Sequence, residues 1–224
     1  LMMRSAWGDR TAAYADFICG PYTESHAHMD QGSFQIYRGG WLAPTSSIYT
    51  KSGVQQGPEF NNLVRFALNG TPIYQVNSTT NSCVMKAVAD NDYYAYGYAD
   101  ATKAYNGNAA VAKSEREFIF IKPSTFIVFD RVVGASGTSR TWTLNLPNAP
   151  VVSGDRLTYT GTGSNKLDVY RLAPTGLAYQ VNTVAPITDF NNTNAKRVDV
   201  YVAKTDIPRG TAGETAASGS RSSP

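Results

Sequence analysis

Both histidines of the chain stand in one short stretch, "ESHAHMDQGSF" (24–34), at positions 26 and 28, with Asp30 two residues further on. Residues two apart on an extended strand point the same way. His26, His28 and Asp30 would then project from one face, with roughly 6–7 Å between successive Cα atoms. Glu24 carries the same parity one step earlier. Imidazole titrates near neutrality and so can take or give a proton under ordinary conditions. A carboxylate beside it can fix its tautomer and raise its basicity. On an open cleft such a row could bind a metal, exchange protons, or do both. The same residues also fit a plainer role, in which one histidine bonds a carbonyl, the other bonds Asp30, and the row only secures its own strand end. Short motifs permit both readings. A zinc site asks for three or four nitrogen, sulfur or oxygen ligands, and the chain has no third histidine.

Other residues near the row could take part. Gly20, Pro21 and Tyr22 read as a loop delivering it to a sheet edge. Tyr37 and Tyr49 are close in sequence, but the chain holds 14 tyrosines, so packing or surface is the first reading of each. Arg4 and Arg38 could grip a carboxylate through two parallel hydrogen bonds, although surface arginine is the default. Cys19 and Cys83 have neither metal-knuckle nor C-x-x-C spacing. They leave open one disulfide or two buried thiols.

The elements that must hold these residues are strands. "TAAYADFICG" (11–20), "GSFQIYRGG" (32–40), "NLVRFALNG" (62–70) and "TPIYQVN" (71–77) are short β-branched and aromatic runs closed by turn residues. "YYAYGYADATKAY" (93–105) alternates tyrosine with small residues. In "SEREFIFIKPSTFIVFDRVVG" (114–134) two apolar arms flank "KPS", which predicts a hairpin. "RTWTLNLP" (140–147), "DRLTYTGTG" (155–163), "LDVYRLAP" (167–174), "LAYQVNTVA" (177–185) and "RVDVYVAKT" (197–205) continue the series. The spacing predicts an all-β, two-sheet antiparallel sandwich over residues 1–207. Residues 208–224, small, polar and rich in glycine and serine, read as a tail or linker.

The totals narrow the function classes. A net charge of +3 with scattered lysine and arginine lacks the footprint of a nucleic-acid binder, yet tolerates an acidic polymer. No apolar run is long enough to span a membrane. The start, "LMMRSAWGDR", has no signal-peptide core and reads like the interior of a longer protein.

Residues 3–44, "MRSAWGDRTAAYADFICGPYTESHAHMDQGSFQIYRGGWLAP", resemble the start of the C-terminal β-domain of the heparinase II/III-like polysaccharide lyases. The matching features are Gly20, His26, His28, Asp30, Gly32, Ser33 and Phe34. The hairpin at 114–133 and the tryptophan strand "RTWTLNLP" resemble later segments of the same domain, so the likeness runs over roughly residues 2–150. It implies an α/α toroid packed on an antiparallel sandwich, with the site in the cleft between them. The implied chemistry is β-elimination at a uronic acid in an acidic polysaccharide, outside the cell or in the periplasm. A neutraliser shields the C5 carboxylate, a base takes the C5 proton, and an acid assists the C4 oxygen.

By that resemblance His26 is the catalytic residue; beside it, Tyr22, Glu24, His28, Asp30 and Arg4 are the candidates for binding substrate or supporting it. His28 matches a zinc ligand of several members. The partner ligands there are an aspartate and a histidine, and this chain has Thr45 and Asn61 at those places. Threonine and asparagine suit zinc poorly, so the reading assigns no metal or other cofactor, a hard cation at Asp30 being the remaining option. The toroid, which would supply a tyrosine acid/base and the neutraliser, has no counterpart in the sequence. A non-catalytic carbohydrate-binding or structural sandwich is the alternative.

Overall fold

In the computed structural model, residues 1–21, 23, 27–46, 57–161, 163, 165–183 and 196–202 are described. Their regular structure is antiparallel β with two 3-10 turns, Pro58–Phe60 and Thr102–Tyr105. The chain begins with β1 (Met2–Arg4), β2 (Tyr14–Phe17), β3 (Phe34–Tyr37) and β4 (Trp41–Ala43), paired in sequence order as a first sheet. β5 (Val64–Leu68) and β6 (Thr71–Ile73) come next. β7 (Val84–Asp90), β8 (Tyr94–Asp100), β9 (Val111–Ile121) and β10 (Thr125–Gly134) form a second sheet as a meander. After β11 (Thr138–Leu146), a small sheet contains β12 (Val151–Ser153), β13 (Arg156–Thr160) and β14 (Lys166–Tyr170). β15 (Tyr179–Thr183) and β16 (Lys196–Val202) complete a five-stranded sheet in the order β15-β16-β11-β5-β6. The expected all-β antiparallel sandwich is what forms, assembled from these four hydrogen-bonded sheets.

The β9–β10 hairpin shows how the pattern becomes packing. Arg116, Phe118 and Phe120 share one parity of β9 and are buried, while Glu117, Ile119 and Ile121 face outward. The turn at 122–124 carries a cis Lys122–Pro123 bond. Phe118 meets Phe17 of β2 and Phe34 of β3 at ring-centroid distances of 5.6 and 5.1 Å, and Phe120 stacks on Phe126 at 4.4 Å. Burying each such ring contributes about 1.5–3 kcal/mol. The cluster clamps the first sheet onto the second. Gly97 permits the close approach, because a Cβ there would stand 2.8 Å from the Phe17 ring. Phe17 and Phe34 are also the two ends of the β2–β3 connection, so this core fixes where that loop starts and returns.

β7 was not among the strands expected. Its residues are mostly exposed and show no alternation, so periodicity has nothing to report there. Pairing with β8 makes it a strand. The predicted tail at 208–224 lies outside the described residues.

Candidate functional site

The β2–β3 connection carries the H-x-H-x-D stretch, and its described part is fastened from several sides. Gly32 N donates to Ile18 O and Ile18 N to Ser33 O, each at 2.8 Å, which closes the loop's neck. Ser33 N donates to Asp30 O at 2.8 Å across a turn whose third residue, Gly32, has φ +87°. That left-handed conformation suits glycine. Cys19 is disulfide-bonded to Cys83, with Cα atoms 5.1 Å apart and a sequence separation of 64, which settles the open cysteine question. A cross-link of that span contributes about 2–4 kcal/mol, chiefly by restricting the unfolded chain. Gln31 and Gln75 bond reciprocally: Gln31 N donates to the Gln75 side-chain oxygen at 3.0 Å and Gln75 Nε2 to Gln31 O at 2.8 Å. Cys83 N donates to Gln31 Oε1 at 2.5 Å.

The deepest fastening is Arg116. Its guanidinium is 4% exposed and grips Asp130 through Nε–Oδ1 at 2.7 Å and Nη2–Oδ2 at 2.9 Å. Nη1 donates to Gly32 O at 2.8 Å and Asn62 O at 2.6 Å, so one side chain ties the hairpin to the loop and to the segment before β5. Asn62 extends the network, donating to the Phe34, Ala43 and Pro44 carbonyls and accepting from Asn145 N at 2.6 Å. None of Arg116, Asp130, Asn62, Gln31 or Gln75 was singled out as a site residue from the sequence. For Arg116 a signal existed: it shares the parity of Phe118 and Phe120 and stands opposite Asp130 in the hairpin register.

Of the candidates expected from sequence, His26, Tyr22 and Glu24 lie outside the described residues, as does Tyr49. His28 and Asp30 are described, but not on a strand. Residues 27–30 are irregular and lead into the turn at 31–32, so a strand-like alternation does not place the two side chains. The physical reason is the Asp30–Ser33 turn, which consumes the residues just before β3. Arg4 is elsewhere. It pairs across the sheet with Tyr14, at the opposite end of β2 from Phe17, about 10 Å along the strand from the loop's neck. Its guanidinium donates to Asp9 O at 3.1 Å and lies 5.4 Å from the centre of the Trp7 ring. The structure therefore does not bring Arg4 to His28 and Asp30.

Thr45 and Asn61 do meet at the loop. Thr45 Oγ1 donates to Asn61 Oδ1 at 3.1 Å, and Asn61 Nδ2 donates to Met29 O at 3.4 Å and Gly57 O at 3.3 Å. A hydroxyl and a carboxamide bonded to one another, neither anionic nor imidazole, do not fit a zinc ion. They do hold the backbone between His28 and Asp30.

Burial pushes the Asp30 carboxyl up to about 6, against a smaller opposing backbone hydrogen bond. A carboxyl poised there can exchange protons near neutrality. It also carries a stability cost. The folded pKa lies above the ordinary 3.8, so the folded state holds the proton more tightly. Stability should therefore fall as pH rises from about 4 to 6, by about 3 kcal/mol in total, and stay low above that. Asp30→Asn should remove this component and stabilise the protein at pH 7.5. Urea midpoints for both proteins between pH 4 and 7.5 check it: curves that stay parallel would show that Asp30 is not held protonated by burial.

No protein-family model matches the sequence, and no curated protein sequence matches it. Solved structures do match in fold. A heparinase III aligns with a TM-score of 0.72 at 18% identity, over 90% of this chain and 32% of its own length. Heparan sulfate lyase HepC from Pedobacter heparinus aligns at 0.69 and 19%, over 89% of this chain and 32% of that one. Another heparinase III aligns at 0.68 and 16%, over 90% and 32%. The chain thus spans about a third of the length of these structures. Its fold is that of their β-sandwich part, as the resemblance of its first 150 residues implied.

Proposed function

We propose that the chain is the sandwich portion of a polysaccharide lyase that cleaves a uronate-containing acidic polysaccharide by β-elimination. One observation carries this reading: within a heparinase III-like fold, the described part of the loop that carries H-x-H-x-D is fastened by a disulfide, a reciprocal glutamine pair and a buried arginine. Such support is what a catalytic loop needs, because small misplacements of reacting groups are costly. In this reading His26 handles the proton at the scissile unit, with Tyr22, Glu24, His28 and Asp30 binding substrate or supporting it. A helical toroid domain contributes the remaining acid/base group and the carboxylate neutraliser. Arg4 has no part in that centre.

No step is routed through a metal, since Thr45 and Asn61 do not fit one. Secreted or periplasmic residence follows from a polymeric substrate. Among the described residues no helix is long and apolar enough to cross a membrane. Scattered basic residues give no reason to expect nucleic acid as a partner.

The test is product formation. Each elimination leaves a C4–C5 double bond conjugated to the carboxylate, which absorbs in the near ultraviolet. The chain alone should give no such signal on uronate polymers, and adding the toroid half in trans should produce it. Silence from the reconstituted pair across heparan sulfate, alginate and hyaluronan would end the proposal. The Thr45–Asn61 pair favours a second reading, a carbohydrate-binding module without catalysis, which predicts that same silence together with retained sugar binding.

A further inference from the structure

We propose that the outer face of the first sheet is a platform that binds an acidic sugar chain, separate from the β2–β3 loop. The inference rests on the reading that the protein handles an acidic polysaccharide and assigns that polymer a second contact. Strand register supplies the geometry. Arg4 pairs with Tyr14, Tyr14 with Tyr37, and Tyr37 with Trp41, so one residue from each strand stands in a single row. Directly opposed residues share a face. The alternate residues Met3, Ala15, Ile36 and Leu42 are buried in the core, so the row faces outward.

With strands about 4.8 Å apart the row is about 14 Å long, the reach of a short oligosaccharide. Its chemistry is graded. Trp41 is 46% exposed and meets Tyr37 edge-on at 5.4 Å. Trp7, 75% exposed, lies against the Arg4 guanidinium. Arg38 is exposed at the turn that follows Tyr37. Tyr14 donates to Asp16 at 2.7 Å, which fixes its ring and occupies the carboxylate on this face. Aromatic faces accept the C–H side of a sugar ring, and guanidinium pairs with carboxylate or sulfate through two parallel bonds.

The second sheet offers a useful contrast. Its exposed large residues are mixed, with Val84, Val88, Ile121, Ile127 and Val133 beside Tyr94 and Phe129, a mostly aliphatic surface in which aromatic rings are the minority. The row on the first sheet contains only arginine, tyrosine and tryptophan. That composition, with a cation at one end, favours an anionic sugar over a protein partner.

The whole chain can be tested by calorimetric titration with heparan sulfate and alginate octasaccharides, a neutral cello-oligosaccharide serving as control. At least one acidic probe should bind and the neutral one should not. Trp41→Ala and Trp7→Ala should each weaken binding about tenfold. Arg4→Gln should weaken it and flatten its dependence on salt. Unchanged circular dichroism and urea midpoints identify folded variants, and Trp7, being so exposed, leaves the fold least affected. Wild-type affinity in all three variants overturns the platform, as does failure of every acidic probe to bind. The two readings fail separately. Elimination by the reconstituted pair with unaltered binding by the variants removes the platform alone. Lost binding without any elimination product removes the lyase alone.

Discussion

Arg116→Met should lower the stability of the fold by about 3–5 kcal/mol, among the largest losses any single substitution here can cause. The magnitude follows from what is left behind. Asp130 would lose both hydrogen bonds of its bidentate partner in a site where its side chain is only 15% exposed. The Gly32 and Asn62 carbonyls would lose their charged donor, and each orphaned buried acceptor costs about 1–3 kcal/mol. Methionine keeps most of the apolar volume, so cavity formation contributes little. Arg116→Lys should recover only part of the loss, because an ammonium group cannot serve Asp130 and two carbonyls in a fixed fork. The double variant Arg116→Met/Asp130→Leu should be more stable than Arg116→Met alone, since no uncompensated charge remains.

Urea unfolding gives the free energies, and amide exchange at Gly32 and Ser33 reports the loop. A loss below about 1 kcal/mol would mean that the network is solvated rather than structural. Unaltered exchange at those two amides would detach Arg116 from the loop even if stability fell.

Strands marked by apolar composition and turn residues were legible in the sequence, and the reasons are specific. β9 and β10 carry continuous apolar runs, 118–121 and 126–129, on both arms of a proline turn, so their pairing follows from composition and turn chemistry together. β7 carries no such pattern and becomes a strand only because β8 offers an edge. The loop was legible as a motif but not as geometry. Reading the row as extended assumes the local period of a strand, whereas at the described residues 27–32 the Gly32 turn and the Asn61–Met29 contact, 32 residues apart in sequence, override it.

Arg4 shows the same limit from the other side. It lies near the motif in sequence, yet the hairpin order of β1 and β2 carries it to the far end of the sheet. The fastening residues Gln31, Gln75 and Asn62 are ordinary amides in sequence, and nothing in their local spacing announces bonds to backbone tens of residues away.

His26→Ala, made in a protein that contains both the sandwich and the toroid, should reduce kcat for elimination by about 10²–10⁴-fold, the usual contribution of a positioned acid or base. KM should change little if the imidazole acts mainly in the transition state, because uniform binding would then be intact. The limb of the pH profile due to this group should vanish at the same time, and exogenous imidazole should restore part of the rate. These readouts separate a proton-transfer role from a merely structural one, which would lower stability and leave the pH profile of the residual activity in place. The platform variants provide the internal contrast. Trp41→Ala should raise KM for polymers while sparing kcat, since it touches the chain away from the scissile unit. A fall in sugar affinity with kcat intact in His26→Ala would instead move that histidine from catalysis to binding, and with it the function of the whole fastened loop.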